Sequence, residues 1–354
     1  MVQKLMMTTD PVGGVWTYSM ELCKEFSARG IHILLASLGG ELTETQRKQA
    51  KKIKFLHLEA SNFRLEWMRD PWQDTEKASG WLATLEEGFT PDIIHLNQYC
   101  FGCLSWNAPV VMVGHSCVAS WWNAVKNSSL PEEWTRYKQT VKTGLQCADC
   151  VIAPTKAMLT SLRKHYGLYR RGTVIPNGRT TRSFKPGLKE NFIFTAGRIW
   201  DEGKNIRVLA EVARSIPWPI FVAGEYREEL NEPNLILLGK LSEQQIRTWF
   251  ARASIYVSPA FYEPFGLSVL EAGLSGCALV ISDIPPFVEN WAGAAFFVDP
   301  ASASCIRDGL LAVINSPSLQ TTLSKKARKR GLHFSAKKMA DEYLGRARVT
   351  REGL

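Results

Sequence analysis

The sequence predicts an α/β protein made of two doubly wound domains, each with a parallel sheet. Three observations support this fold class. Short runs of β-branched and apolar residues alternate with helical patterns along the chain. A chain of 354 residues is long enough for two domains of roughly 150–180 residues. A looser segment, 179–190, contains Pro186 and Gly187 and separates the two halves.

The first half has the pattern of an N-terminal domain, which we place at residues 1–187. Its predicted strands are short apolar runs, several of which end in polar residues: 5–8, 31–36, 53–58, 92–97, 110–116, 151–155 and 173–175. Its predicted helices are 15–29, which Gly30 ends, a helix that ends at Gly88, 132–148, and a helix that ends at Tyr166.

The second half restarts the alternation, and we place the C-terminal domain at residues 188–334. Its predicted strands are 192–198, 219–225, 235–239, 255–257 and 278–282. Its predicted helices are 204–214, a helix that begins at Ser242 with a capping-type sequence, and 267–276. A terminal helix, predicted within 335–354, follows this domain.

Composition and charge exclude several classes of protein. The chain is 45% hydrophobic and 22% charged, and no apolar run approaches the ~20 residues that span a bilayer. The first ten residues lack the apolar centre of a signal peptide, so we expect a cytoplasmic protein. No zinc-finger spacing, aromatic sheet motif or basic heptad pattern supports nucleic-acid binding.

The net charge of +9 is concentrated near the C-terminus. Residues 321–354 hold ten Lys or Arg and three Asp or Glu, a charge of +7. The basic run 325–330 is suited to peripheral contact with anionic lipid at the inner face of the membrane, or to an anionic acceptor. A solvated helix face near a helix C-terminus explains it equally simply, and we favour that interpretation.

Eight cysteines without a secretory signal indicate reduced thiols. The pairs Cys100/Cys103 and Cys147/Cys150 have the Cys-x-x-Cys spacing of zinc ligands. Their distance apart in the chain and their flanking elements favour buried small hydrophobic residues instead. We therefore expect no zinc site.

The stretch 254–271 has the strongest functional pattern. A predicted buried strand stops at Pro259, a loop carries Glu263 and Gly266, and a helix begins at Leu267. This arrangement aims a helix N-terminus out of the carboxyl end of a strand, where its N–H groups suit a phosphate. Glu271 lies roughly 6 Å further along the helix axis, where its carboxylate can accept hydrogen bonds from a ribose diol.

The string Glu-Pro-Phe-Gly-Leu-Ser-Val-Leu-Glu at 263–271 resembles the Glu-x7-Glu signature of glycosyltransferase family 4. These are retaining enzymes of the GT-B fold, in which two Rossmann-like domains face a central cleft. The resemblance covers nearly the whole chain. It implies transfer of a hexose from a nucleotide diphosphate sugar to a hydroxyl of a glycan, a lipid-linked saccharide or a small acceptor. It also implies an acceptor-side first domain and a terminal helix that crosses back to it.

Two cations in the second domain suit the donor phosphates. Arg198 ends a predicted strand and Lys204 lies near the start of a predicted helix, where both can grip a diphosphate. Gly197–Asn205 is similar to the Gly-Arg and Lys-Gly/Asn element of the family, which implies that both side chains contact the donor. An ion pair with Asp201 or Glu202 is the alternative.

The resemblance implies further site residues. His115 is implied to reach the donor sugar, although a lone histidine is often structural, and Glu263 is implied to lie beside that sugar. We therefore expect His115, Arg198, Lys204 and Glu263 to be catalytic. The expected donor-binding residues are Gly13, Gly14, Leu241, Phe265, Gly266, Leu267, Ser268 and Glu271. A turn such as Gly13-Gly14 also occurs for tight helix–strand packing alone.

Eight of the twelve tryptophans lie before residue 150. Indole faces pack well against sugar rings, although core packing is the default for this residue. Trp16 follows Gly13-Gly14 and Trp121 follows His115, so we predict that one of them lines the acceptor side.

No Asp-x-Asp occurs in the sequence, so we predict a metal-independent enzyme without a cofactor. Two other functions stay open. A GT-B phosphorylase or sugar-nucleotide epimerase is one, although no lysine motif for pyridoxal phosphate is visible. A catalytically silent carbohydrate-binding or scaffold protein is the other, and the presence of Arg198, Lys204, Glu263 and Glu271 argues against it.

Overall fold

The structure is a computed structural model that describes residues 2–168, 172–225 and 232–352. These residues form two compact units. The first unit contains the residues up to Asn123, Ser128–Gly178 and the residues from Ala336. The second contains Ala124–Asn127 and Arg179–Ser335. The sequence predicts the boundary between the domains at 187/188, and the chain enters the second unit at Arg179.

The first unit is organised around a parallel sheet. Its strands are β1 Lys4–Thr9, β2 His32–Ser37, β3 Leu56–Ala60, β4 Ile93–Leu96, β5 Val110–Val113, β6 Cys150–Ala153 and β7 Thr173–Val174. Their order in the sheet is β3-β2-β1-β4-β5-β6-β7. The order reverses between β1 and β4, whose residues Met7 and His95 are partners. Ligands bind outside the carboxyl ends of strands at such a switch point.

Helices cover the two faces of this sheet. They are α1 Gly14–Ser27, α2 Glu44–Lys51, α3 Trp72–Phe89, α4 Val118–Lys126, α5 Thr135–Cys147 and α6 Lys156–Tyr166. Successive residues of β1 point to opposite sides, so Met6 and Met7 belong to two separate cores. The sequence pattern misses α2 because its segment is almost entirely polar. A capping box between Thr43 and Gln46 begins that helix.

The second unit repeats this arrangement. Its strands are β8 Glu190–Ala196, β9 Ile220–Ala223, β10 Leu235–Gly239, β11 Ala253–Ser258, β12 Ala278–Ser282 and β13 Phe296–Val298. Their order is β10-β9-β8-β11-β12-β13, and neighbouring strands pair in parallel. Its helices are α7 Val208–Ala213, α8 Glu243–Arg252, α9 Leu267–Leu274, α10 Pro285–Trp291, α11 Ala303–Ile314 and α12 Pro317–Gly331.

The predicted helix 204–214 is wrong at its start. Residues Glu202–Lys204 form a 3-10 turn, Asn205 adopts a left-handed conformation with φ 52°, and α7 begins only at Val208. The Asn205 amide donates hydrogen bonds to the carbonyls of Pro259 and Pro300, at 3.0 and 2.8 Å. These tertiary bonds stabilise a conformation that asparagine tolerates better than most residues.

The terminal helix, α13 Ala336–Glu352, belongs to the first unit. Met339, Ala340 and Tyr343 are buried in the same core as residues of α1. At the edge of this contact, Arg29 of α1 forms an ion pair with Asp341 at 2.6 Å.

The expectation of reduced, buried thiols fails for one pair of cysteines, because Cys103 and Cys147 form a disulfide and both residues are exposed. The cause is a close backbone approach. A Cβ atom added to Gly144 of α5 would lie 1.9 Å from the carbonyl oxygen of Tyr99. Only glycine permits this contact, and it brings the end of α5 beside the turn that precedes Cys103.

The basic run of α12 is divided between two environments. Lys325, Lys326 and Lys329 are exposed. Arg328 donates to the carbonyl of Leu274, and Arg330 donates to the carbonyl of Asn290. The arginines therefore stabilise the second unit, and the lysines provide its surface charge. Within the described residues, no helix is long and apolar enough to cross a membrane.

Candidate functional site

Three predicted site residues meet at the N-terminus of α9. The Glu263 carboxylate receives a hydrogen bond from the Gly266 N–H at 3.1 Å, and its other oxygen lies 2.5 Å from Lys204 Nζ. The Lys204 and Glu263 side chains are each 18% exposed. Glu263 is an anion held between a lysine ammonium and the N–H end of a helix. A lysine ammonium beside a helix N-terminus is an arrangement that binds anions.

Gly266 shapes the start of α9. Its φ is +87°, and an added Cβ would lie 2.8 Å from Phe287 Cε1. No side chain caps the helix at this residue, and its first turn contains no acidic residue. The carboxylate that faces the start of α9 is instead that of Glu263, which accepts the Gly266 N–H from the preceding loop.

Ser268 is held in place from beneath. Its hydroxyl lies 2.8 Å from the hydroxyl of Tyr256, a residue of β11 that also approaches the carbonyl of Ala196 at 3.3 Å. Burial raises the pKa of Tyr256, so the phenol keeps its proton as a hydrogen-bond donor. The first turn of α9 is thus tied to the ends of β8 and β11.

Arg198 has the partner that the alternative interpretation names. Its guanidinium donates to Asp201 at 3.0 Å, and its side chain is 42% exposed. It also lies 5.6 Å from the ring centroid of Trp200. An ion pair this exposed is weak, so Arg198 can exchange Asp201 for a phosphate at small cost.

Glu271 has a buried partner that the sequence does not reveal. Its Oε1 lies 2.8 Å from Nε of Arg179, and the two side chains are 13% and 5% exposed. Arg179 directly follows Pro-Asn-Gly at 176–178, where the sequence pattern suggests only a turn or a linker. No local periodicity indicates that this arginine contacts α9.

In the first unit, the side chain of Asn97 orients His115. The Asn97 amide nitrogen donates to the carbonyl of Thr8 at 2.6 Å, and its Oδ1 lies 2.8 Å from His115 Nε2. A carbonyl oxygen only accepts, so the nitrogen of the amide faces Thr8 and its oxygen faces His115. His115 therefore carries its proton on Nε2, and Nδ1 is its acceptor nitrogen.

Two histidines lie near this switch point, and of these His95 is buried and His115 is partly buried. Burial lowers the pKa of His115 to about 3 and, together with the neighbouring His115, lowers that of His95 to about 3. The His95 Nε2 lies 3.1 Å from the hydroxyl of Tyr18, whose ring contacts His115 edge-on at 4.4 Å. Both imidazoles are neutral near pH 7.

Family models match both parts of the chain. Residues 12–182 match the model described as Glycosyltransferase Family 4, and residues 179–330 match Glycosyl transferases group 1. The chain belongs to the family 4-like GT-B glycosyltransferases. The predicted family is thereby confirmed. No curated protein matches the sequence.

Solved structures of low identity have the same fold as this glycosyltransferase. Sucrose-phosphate synthase from Thermosynechococcus elongatus is 18% identical, with a TM-score of 0.81 over 99% of this chain and 100% of that one. The Anabaena protein HepE in complex with UDP and glucose is 16% identical, with a TM-score of 0.76 over 97% and 98%. WaaG, a glycosyltransferase involved in lipopolysaccharide biosynthesis, is 14% identical, with a TM-score of 0.71 over 96% and 98%. The predicted fold of two Rossmann-like domains is confirmed.

The other predicted site residues of the glycosyltransferase lie at the following places. Gly13 is the N-cap residue of α1 and Gly14 its first residue, after the short turn that follows β1. Phe265 is buried and packs against Phe334. Leu241 is partly buried beyond β10, and Leu267 begins α9. Their contacts with a donor stay predictions.

The two tryptophans differ in burial. Trp16 is 5% exposed, and its indole N–H donates to Gln49 at 3.0 Å, so little of its surface is left for a sugar ring. Trp121 lies on α4, is partly exposed and packs edge-on against Trp122. The acceptor role predicted for one of them therefore concerns Trp121 more than Trp16.

No group of three or more His, Cys, Asp or Glu side chains suited to a metal ion occurs among residues 2–168, 172–225 and 232–352. Metal independence stays a prediction. The described contacts place the Lys204 ammonium at the start of α9, through Glu263.

Proposed function

We propose that this glycosyltransferase moves a hexose from a nucleoside diphosphate sugar to a hydroxyl group, with retention of the anomeric configuration and without a metal. The acceptor class we favour is a glycan or a lipid-linked saccharide. Complexes of HepE with UDP, with UDP and glucose, and with UDP-glucose support the choice of donor class.

The convergence of Lys204, Glu263 and the Gly266 N–H at the start of α9 carries this proposal. Lys204 and Glu263 are 59 residues apart in the sequence and come from different strand–loop segments. In the proposal, Lys204 and the N–H groups at the start of α9 are the groups that bind the leaving diphosphate. Glu263 accepts the hydrogen bonds of both Lys204 and Gly266 and keeps Lys204 in position. A donor phosphate then replaces Glu263 as the partner of Lys204.

The chemical step breaks the bond between the anomeric carbon and the diphosphate oxygen. Negative charge then builds on the nucleotide, and Lys204, Arg198 and the N–H groups of α9 stabilise it. The acceptor hydroxyl attacks from the face that the diphosphate leaves and passes its proton to the departing phosphate oxygen. This front-face attack retains the configuration without a covalent enzyme intermediate, and we assign no nucleophile.

Residues outside this cluster have secondary roles in the proposal. Glu271 accepts hydrogen bonds from the ribose diol, and the main chain near Leu241 contacts the base. His115 and the Gly13-Gly14 turn contact the donor sugar and phosphate, as the family resemblance implies. The three exposed lysines of α12 suit peripheral contact with an anionic membrane that carries the acceptor.

Ligand-dependent thermal unfolding tests the donor site. The wild type is heated with UDP, GDP, ADP or TDP and with their sugars, with and without a chelator. A ligand at a hundred times its Kd stabilises the folded protein by ~2.7 kcal/mol. We expect one base to respond and the response to survive chelation. Silence across the panel would favour the carbohydrate-binding or scaffold function instead.

The variant Lys204→Gln tests the cluster itself. Loss of a hydrogen bond between charged groups costs about 1.5–3 kcal/mol, so Kd for the responsive nucleotide should rise roughly ten- to hundredfold. Lys48→Gln is the matched control, because Lys48 pairs with Glu44 at 2.7 Å on an exposed face of α2. Equal affinity in the Lys204 variant and the control would contradict the diphosphate role.

A further inference from the structure

We propose that Arg179 is the positioning residue for Glu271 and thereby makes the site selective for nucleotides with an intact ribose diol. The inference rests on the proposed function, because it concerns how the same donor site recognises the sugar of the nucleotide. Arg179 touches neither the base nor the phosphates in this account. It acts through the Glu271 carboxylate.

The geometry of Arg179 is that of a fixed support. Its Nε lies 2.8 Å from Glu271 Oε1, and its terminal nitrogen lies 3.3 Å from Glu243 Oε1. The guanidinium stacks over the ring of Phe184, 5.0 Å from the centroid. The backbone N–H of Arg179 donates to the carbonyl of Phe334 at 3.1 Å. Both the main chain and the planar end of this side chain are therefore held.

Burial of both side chains explains why Glu271 needs Arg179 as a partner. A carboxylate covered to the extent of Glu271 loses much of its hydration, and a cation that faces it offsets that loss. The Arg179 guanidinium is that cation, and its planar geometry also fixes the orientation of the carboxylate. A carboxylate held in one orientation can accept hydrogen bonds from both hydroxyls of a diol.

The position of the pair on α9 adds an electrostatic reason. Glu271 lies on the helix whose N-terminus is proposed to hold the diphosphate, so its charge repels the bound anion. The Arg179 guanidinium opposes that repulsion at 2.8 Å from the carboxylate. The site can thus hold a hydrogen-bond acceptor for the ribose close to a phosphate without an excess of negative charge.

Arg247 provides a matched control within the same cluster. It lies on α8, pairs with Glu243 at 2.5 Å, and stands over the Phe184 ring at 5.5 Å. Replacing Arg247 therefore disturbs the two groups that surround Arg179, Glu243 and Phe184. If a variant acts by loosening the packing of this cluster, the Arg247 variant should show the same effect. If it acts by displacing the Glu271 carboxylate, the Arg247 variant should not show it.

The experiment measures Kd by calorimetry for UDP, GDP and ADP, each beside its 2′,3′-dideoxy counterpart. We expect wild type to bind one ribonucleotide roughly tenfold or more tightly than its dideoxy form, as suits hydrogen bonds to a charged group. We call the Kd of the dideoxy nucleotide divided by the Kd of the ribonucleotide the diol ratio, and Arg179→Met should reduce it to near one. Arg179→Lys should restore part of it, and Arg247→Met should keep the wild-type ratio.

Removing only Arg179 leaves a buried carboxylate without this partner and threatens folding. The double variant Arg179→Met, Glu271→Gln removes both charges and keeps the shape of residue 271. Its diol ratio should equal that of Glu271→Gln alone, because Arg179 acts only through Glu271. A further change in the ratio would overturn the proposed route, whatever the stability of the single variant.

The outcomes separate the two proposals. A wild-type diol ratio that survives Arg179→Met but falls in Glu271→Gln overturns the positioning role and leaves the proposed function intact. An equal fall in Arg247→Met also overturns it, since the effect then comes from general packing. If no ribonucleotide binds the wild type, the proposed function fails and this inference fails with it.

Discussion

The substitution His95→Gln should remove part of the pH dependence of stability. His95 lies on β4 with 2% of its surface exposed, between the ring of Tyr343 at 5.1 Å and the hydroxyl of Tyr18. Burial is the main reason that its pKa falls from 6.5 to about 3. Glutamine can still bond to Tyr18 and does not titrate, so the variant isolates the proton.

The size of the effect follows from linkage. Below a pH of about 6.5 the unfolded chain takes up a proton at this residue, and the folded chain does not until about pH 3. The contribution of the buried neutral imidazole to stability is therefore complete above pH 6.5 and is lost as pH falls toward 3. Between pH 7 and pH 5, one such histidine lowers the free energy of unfolding by about 2 kcal/mol. Burial lowers the pKa of His115 in the same direction.

Urea unfolding at pH 7 and pH 5 measures the effect. Tryptophan fluorescence reports on the first unit, because eight of the twelve tryptophans lie before residue 150. The quantity compared is the loss of unfolding free energy between the two pH values, so carboxylates that titrate in every variant cancel. His95→Gln should lose about 2 kcal/mol less than wild type.

The control is His57→Gln on β3, whose side chain is 67% exposed. It changes the same residue type at the surface of the same sheet, where the ring pairs with Glu59 at 2.7 Å, so it controls for the loss of a histidine outside the core. An identical loss in wild type and His95→Gln would refute the reasoning, since burial would then not keep His95 neutral in the folded state.

Two further predictions concern stability. Gly266→Ala should cost about 2–5 kcal/mol and abolish the nucleotide-induced rise in Tm, because of its positive φ and the contact with Phe287. Gly293→Ala has a similar φ, but its added Cβ meets no described atom within 4 Å, so a cost above about 2 kcal/mol there would contradict the packing argument. Reduction of the Cys103–Cys147 disulfide, or Cys147→Ser, should lower stability by up to about 4 kcal/mol for a separation of 44 residues. Equal Tm values with and without reductant would show that the cross-link does not stabilise this fold.

Several features of the structure follow directly from local sequence. The alternation of apolar strands and helical segments predicts two parallel-sheet domains, because period and length are properties of neighbouring residues. The stretch 254–271 is read correctly as a strand, a loop and a helix for the same reason. Predicting that Lys204 and Glu263 belong to one site requires the family resemblance, because the two residues lie in separate motifs.

Errors arise where a residue outside the segment decides its conformation. Asn205 is left-handed because its amide bonds to Pro259 and Pro300, and the predicted helix therefore starts late. Cysteine spacing suggests zinc ligands or buried thiols, whereas the approach of Gly144 to Tyr99 brings Cys103 and Cys147 together. Neither contact leaves a trace in the periodicity of the chain.

The sequence by itself determined the fold class, the family and the residue types of the predicted donor site, since these are encoded in short runs and in their order. The tertiary structure alone decided which partners those residues have. Arg179 supports Glu271, and Asn97 fixes the tautomer of His115, through contacts between segments distant in sequence. Such pairs form because buried charges and buried polar groups need partners, and packing determines which partner is within reach.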